Sequence, residues 1–383
     1  MKRRNWFLLG IYGLVVIVNV LSWYMPCFGD RMRQSVFQVT QYVQGYISSI
    51  VTFSLGEFLL LFAVILMTGG LCKKAAAAFK KGRGKICGDI TENSKRSGFE
   101  IFCRRYFYSL SWIIGVVSVV MSVNCFVLYH CSSFQDNYMP TVKRDYTVGE
   151  LAILRDYVVR QCNELAQELK RDEDGYLVYE GDLNRRGILE MKRMGETYPL
   201  LGGYYPMPKK FTFSGFFSQQ YMLGYYFPFT MEANYNDVMY IANVPVTICH
   251  ELSHVKGFIY EDDANFIGYL ACTSSEDPFF RYSGYLSVLD YLNRDLYESL
   301  DRSFETYQTY EQCSALVERD NVFLTKEAWA AVESRAVLDT ETVRQASHTF
   351  LQTNLQINGI EEGTASYGKV VEQLLTYYDG VLY

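Results

Sequence analysis

Histidine is scarce in this sequence, four in 383 residues, so chemistry that depends on imidazole has few places to reside. Internal repeats and low-complexity tracts are absent, which removes solenoid and propeller architectures from consideration. The ten cysteines follow no regular spacing and do not read as a disulfide or metal-ribbon framework. Cys72, Cys87 and Cys103 are expected as free thiols at or inside a cytoplasmic face. For Cys249 and Cys272, a disulfide and a pair of buried free thiols are competing expectations. Charge is nearly missing from three long apolar runs. Trp6 to Met25 carries none, residues 51–72 hold only Glu57, and residues 107–129 have Asn124 as their most polar member. Each run has about the 20 residues a helix needs to cross a bilayer. No small-x-small cleavage site precedes Pro26, so the first run reads as an uncleaved anchor rather than a signal peptide. Glu57 is costly in lipid unless it reaches the interface or faces the helix bundle. The sequence leaves both open.

Basic residues orient the anchor. Lys2, Arg3 and Arg4 open the chain, and the loop 73–105 carries ten further Lys and Arg, whereas the loop between the first two runs has only Arg31 and Arg33. By the positive-inside rule the N-terminus and the basic loop are cytoplasmic, and three crossings put the remainder outside. Residues 1–131 hold 15 Lys and Arg against 5 Asp and Glu; of the chain's 36 and 42, that leaves 21 and 37 for the rest. A basic anchor therefore precedes an acidic region of net charge −16, which argues against a nucleic-acid partner. The expected organisation is a membrane anchor, 1–131, and an extracytoplasmic domain, 132–383.

In the second region, Thr147-Val148-Gly149-Glu150 reads as a capping box opening a helix to about Lys170. A second helix is predicted over Leu183 to Glu196. Gly, Pro and aromatic residues between Gly202 and Tyr240 read as short strands and loops, and helices dominate from Asp262 onward. The fold class is mainly α with a short β segment before one informative helix. That helix carries His250-Glu251-Leu252-Ser253-His254. Residues four apart share a helical face, so both imidazoles can meet one metal ion, and Glu251 falls beside it, placed to act as a general base. This is the HExxH signature of zinc metallopeptidases, and it implies a zincin-like domain with Zn2+ as cofactor.

Two His need a third protein ligand. Gly257 is suited to end the helix in a left-handed conformation, after which Glu261-Asp262-Asp263-Ala264-Asn265 supplies acids. Glu261 is the leading candidate, with Asn265 one turn on to orient a ligand His. Asp262 or Asp263 is the alternative in a different register, and Tyr260 occupies the position a metzincin-type ligand would take. The same acids would also suit a helix N-terminus without any metal. Tyr226, Arg281 and Tyr282 are candidate donors to a tetrahedral intermediate. The segment Phe227 to Asn236 is a candidate substrate-binding edge strand, with Glu232 or Asn234 at the cleft.

Several stretches together resemble a known family. Ser54-Leu55-Gly56-Glu57, Phe227 through Asn234, the HELSH motif, Glu261 through Phe266 and Arg281 through Tyr285 are similar, in that order, to domain-of-unknown-function family 3810, bacterial membrane proteins with three spans. The resemblance implies a gluzincin-like metallopeptidase domain and names no substrate. Two positions depart from it: Met231 stands where the family usually has Gly, and Asp263 where it usually has Glu. The expected function is a membrane-anchored zinc endopeptidase acting on a peptide or protein at the cell surface, in contact with the lipid bilayer. A metallopeptidase-like sensor or an inactive scaffold is the alternative.

Overall fold

The computed structural model describes residues 3–25, 27–86, 96–140, 144–357 and 369–383. Part of the expected basic loop (87–95) and of the polar linker (141–143) lies outside these residues. The described chain is mainly helical.

The apolar runs form α1 (Arg3–Tyr24), α4 (Leu55–Ile86) and α5 (Arg96–Asn124), with α2 (Phe28–Met32) and α3 (Gln38–Ser48) between the first two. Two stretches, Arg4–Tyr24 and Arg104–His130, are long and apolar enough to cross a membrane. The second expected span starts at Leu55 rather than residue 51, and Leu55–Gly70 is a shorter apolar helix. The polar break in the first run has a partner: Asn19 donates to Ser122 Oγ on α5 at 2.8 Å, and Tyr12 donates to the Ser111 carbonyl at 2.7 Å. These two bonds tie α1 to α5.

Where a loop was expected between the first two runs, the chain is helical from Phe28 to Ser48, passing through one π turn at Arg33–Phe37. Its inward face is built from Arg33, Phe37, Gln41, Gly45 and Ser48, all buried. Gln41 donates to the Tyr204 carbonyl at 3.0 Å, and Arg33 donates to the Ser132 carbonyl at 3.0 Å. Contacts thus cross the expected boundary at residue 131.

The C-terminal region begins with α6 (Phe134–Tyr138) and α7 (Val148–Glu168). Thr147 and Glu150 form the expected capping box on α7. α8 (Leu183–Thr197) is capped by Asp182, whose carboxylate accepts from the Arg185 amide at 3.0 Å. Three short strands follow: β1 (Lys209–Lys210), then, after α9 (Ser214–Ser218), β2 (Gly224–Phe227) and β3 (Glu232–Tyr235). They form a sheet of order β1-β3-β2, with β3 central, parallel to β1 and antiparallel to β2. The β2–β3 connection places Met231 at φ +54, a region that suits Gly and strains a side chain. The motif helix α10 (Val244–Val255) packs against α8, β2, β3, α11 (Glu261–Thr273) and α12 (Pro278–Ser299). The chain closes with α13 (Phe304–Tyr307), α14 (Ala315–Asp320), α15 (Lys326–Arg335), α16 (Thr340–Ile357) and α17 (Lys369–Tyr378).

Candidate metal centre

α10 is apolar on nearly every side, as a helix surrounded by protein must be. Along it only Val246 and His250 escape full burial. Pro245 takes the second helical position, where its missing N–H leaves nothing unpaired. At the other end the Gly257 amide donates to the His254 carbonyl at 2.9 Å and the Phe258 amide to the Ser253 carbonyl at 3.2 Å, with Gly257 at φ +87. This pair of bonds is a Schellman motif. It also does something for the site. The turn brings the Phe258 carbonyl within 2.7 Å of His254 Nδ1, which fixes Nδ1 as the protonated nitrogen and leaves the Nε2 lone pair facing the next helix.

α11 returns after five residues, Lys256 to Tyr260. The helices approach closely because Gly268 faces α10; an added Cβ there would lie 3.2 Å from the Val246 carbonyl oxygen. Glu261, first residue of α11, is thereby laid across the His pair. Its carboxylate oxygens are 3.2 Å from His250 Nε2 and 3.8 Å from His254 Nε2, and the two Nε2 atoms are 3.1 Å apart. One ligand atom from each of the three residues lies within 4.8 Å of the others, a grouping that could hold a metal ion. Asn265, one turn along α11, makes a side-chain hydrogen bond with His250.

Burial and these contacts polarise the cluster. Burial alone would raise the Glu261 carboxyl, but the hydrogen bond from His250 and the charges of both His hold it down at about 2. Burial lowers His254 to about 4. For His250 burial acts in the same sense, and is outweighed by Glu261, Glu251 and Asn265, so its net shift is upward. Glu251 is pushed up to about 8, chiefly by burial, with His250 opposing. One of its oxygens, Oε2, is buried with no hydrogen-bond partner. The carboxyl group rests on Gly224: an added Cβ there would come within 2.8 Å of the Glu251 carboxyl carbon. Tyr225, next along β2 and projecting to its other face, is pushed up to about 12 by burial and by the charges of Cys125, Glu251 and Glu261. Sequence reasoning passed over Gly224 and Tyr225, since nothing along the chain ties a Gly-Tyr pair to a motif 26 residues away.

Other expected residues stand elsewhere. Asp263, the alternative ligand, is turned away from the His pair: its carboxylate accepts from the Phe134 amide at 2.7 Å and from Gln373 at 3.2 Å. The Tyr260 hydroxyl donates to the Tyr129 carbonyl. Tyr226 donates to the Asn124 carbonyl at 3.2 Å, and Tyr282 to buried Asp320 at 2.8 Å, so both hydroxyls are engaged in packing. Glu232 is not at the cleft. It caps the start of α4, accepting from the Leu55 amide at 3.0 Å, the Gly56 amide at 2.7 Å, Thr230 Oγ1 at 2.8 Å and the Lys209 ammonium. Asn234 shares its fate. Paired residues project to one face of a sheet, and the register Gly224↔Tyr235, Tyr225↔Asn234, Phe227↔Glu232 puts Asn234 and Glu232 opposite the face that carries Gly224. Asn234 is fully buried there, with neither amide atom hydrogen-bonded. The strand bordering the site is the edge strand β2, not central β3. Cys249 and Cys272 are free buried thiols with sulfurs 3.9 Å apart.

The match to a known family is long. Residues 33–375 fit the family described as protein of unknown function (DUF3810). The chain belongs to that family. The matched range takes in the motif helix, its Glu261 partner and the α4–β3 contact alike. No curated protein and no solved structure matches this DUF3810 member.

Proposed function

We propose that this protein is a membrane-anchored, zinc-dependent metallopeptidase that hydrolyses peptide bonds outside the cytoplasmic membrane. One observation carries the reading: His250, His254 and Glu261 converge from two helices, while the unpartnered Oε2 of Glu251 lies one position from the first ligand. The donor set of two imidazole nitrogens and one carboxylate suits zinc, and it leaves a coordination position open, as a catalytic rather than a structural site requires. The bare Cα of Gly224 lets the Glu251 carboxyl pack against β2, and its Oε2 is left uncommitted, a spare acceptor beside the cluster. Bound zinc supplies Lewis acidity, polarising a carbonyl and lowering the pKa of water.

The chain's own residues do the rest. Glu251 accepts a proton from water and returns it to the leaving amine. His254, locked by Phe258, and His250, locked by Asn265, present fixed tautomers. β2 is hydrogen-bonded only to β3 among the described residues, so its outer edge is open to an extended peptide running past Glu251. We read the arrangement as zincin-like, with Glu261 as a gluzincin-type ligand. α1, α4 and α5 make three crossings, and the basic loop lies inside. The test uses full-length protein: one zinc per chain is expected by elemental analysis, together with cleavage in a peptide library that Glu251→Gln abolishes. Absence of any cleavage beyond that of the variant rejects the assignment.

A further inference from the structure

The helical segment from Phe28 to Ser48 is inside out by the standard of a soluble protein. The face packed on the C-terminal region is, Phe37 apart, polar or small at Arg33, Gln41, Gly45 and Ser48. The face turned away carries Val36, Val39, Val43, Tyr46 and Ile47, continuing to Ile50, all exposed, with Val39 at 63% and Ile50 at 72%. Their spacing of three and four residues makes one continuous stripe on a helix. No charged residue occurs from Gln34 to Gly56. Water is a poor neighbour for such a surface, and a contiguous apolar patch of this kind marks an interaction site.

We infer that this stripe lies in the outer leaflet of the bilayer, so that the candidate metal centre is held at the lipid surface and acts on membrane-proximal segments of membrane-tethered proteins. The inference rests on the peptidase reading for its substrate class, but not for the position of the helix. Continuity identifies the occupant. The segment leaves α1 through exposed Trp23 and Tyr24 and enters α4 through Phe53 and Phe58, so both ends run into the apolar surfaces of the helices read as spans. Phe53, Phe58 and Phe213 form a chain of ring contacts at 5.1 and 6.3 Å, all three exposed, extending the patch onto the C-terminal region. Trp23 and Tyr24 are of the residue types that concentrate where a membrane meets water. The absence of charge makes the attachment apolar rather than electrostatic.

The same helix touches the site from its other face. A Cβ on Gly257 would lie 3.0 Å from the Phe37 ring, and the Arg33 guanidinium sits over the Phe258 ring at 5.1 Å. Phe258 in turn holds His254. The inward side chains of this helix therefore touch the very turn that holds a ligand histidine.

The test places a photo-crosslinking benzoylphenylalanine at Val39, Val43 or Ile47 of the full-length protein in phosphatidylcholine liposomes, with Phe304 as control. Phe304 is equally exposed but set among Gln308, Gln312 and Glu318. Lipid adducts at the three positions and none at Phe304 are expected. Dimer adducts, identifying a second copy as the occupant, or no adduct at all, overturn the placement. A second arm uses one peptide sequence, cleaved by the wild type in a library screen, presented free in solution or on a lipid anchor. Wild type should favour the anchored form by roughly 10²-fold, the gain expected when encounter becomes confined to the surface. Val39→Asp with Val43→Asp and Ile47→Asp should lose that preference while still cleaving the free peptide. Equal wild-type rates on both forms overturn the substrate class. If wild type cleaves no more than Glu251→Gln, the peptidase reading and this substrate class fall together, while the adduct pattern still decides where the helix lies.

Discussion

Two pairs of glutamates, three of the four buried, have opposite surroundings. Glu232 accepts hydrogen bonds from two amides at the start of α4, from Thr230 and from Lys209. Glu57 mirrors it, reaching from α4 to the Thr212 amide at 2.7 Å and the Phe213 amide at 2.9 Å, just before α9. Each element caps the other, so α4 and the sheet region are clasped by reciprocal carboxylates. Glu251 is as buried as they are and Glu261 half-buried, and both are incompletely served: Glu251 has an orphaned oxygen, and Glu261 faces two histidines rather than a lysine. A saturated buried acid holds a structure together. An unsaturated one, beside groups able to bind a metal, is available for chemistry.

Substitutions should separate the two pairs. Glu251→Gln is expected to lower peptidase turnover by about 10²–10⁴, the usual contribution of a general base, while zinc content and fold stay intact. Elemental analysis beside kinetics reads both. Glu232→Ala should do the reverse. It strands the Lys209 ammonium inside the protein, where its other partners among the described residues are the Ser48 and Phe53 carbonyls. Breaking a buried pair from one side costs about 3–5 kcal/mol, so the midpoint of denaturant unfolding should fall sharply. Lys209→Met combined with Glu232→Leu should recover much of that loss. If Glu232→Ala instead unfolds like wild type but no longer cleaves, the division between clasp and site is wrong.

Metal removal should act on only one side of the comparison. A site holding zinc at a free concentration 10²–10³ times its Kd stabilises the fold by about 3–4 kcal/mol. Chelation should therefore lower the melting temperature of the wild type. Glu261→Gln should bind zinc more weakly and show a smaller chelation effect, whereas Glu57→Gln should keep the full effect on a less stable protein. An unchanged chelation response in Glu261→Gln would remove Glu261 from the ligand set.

Much of the site was legible because it is local. HELSH needs only helical periodicity, and the stop at Gly257 together with the acids beyond it follows from the chemistry of helix ends. The capping box at Thr147 and the start of α8 were legible for the same reason. What escaped was set by contacts far apart in sequence. Glu232 and Asn234 were read as cleft residues because they precede the motif, but strand register, which turns them to the other face, depends on pairing with Gly224 to Phe227. The helix from Phe28 to Ser48 falls between two longer apolar runs, its own apolar stripe is too short for a span, and nothing along the chain marks its polar face for a protein partner. Met231 illustrates the remaining kind of gap. Its φ of +54 and its sulfur 3.0 Å from the Tyr226 hydroxyl leave no mark on the sequence. The thioether fills space that a glycine would leave, offsetting the backbone strain.

Asp263 offers the mildest test, because it is neither ligand nor clasp. Its carboxyl is pushed up to about 7, first by burial and then by the neighbouring charge of Asp262, with the bonds from Phe134 and Gln373 opposing. The ordinary value is 3.8, so between about pH 4 and 7 the folded state keeps a proton that the unfolded chain releases. Linkage then makes stability fall as pH rises through that window. Asp263→Asn cannot titrate. Its carbonyl can still accept from the Phe134 amide, and its new N–H₂ is satisfied once the Gln373 amide turns over to present its unpartnered Oε1 in place of Nε2. The variant should match wild type near pH 4, exceed it modestly at pH 7 and above, and bind zinc unchanged. The difference between the two unfolding curves, followed across that pH range, measures the penalty of the buried charge. Lost zinc in Asp263→Asn would return this residue to the metal site.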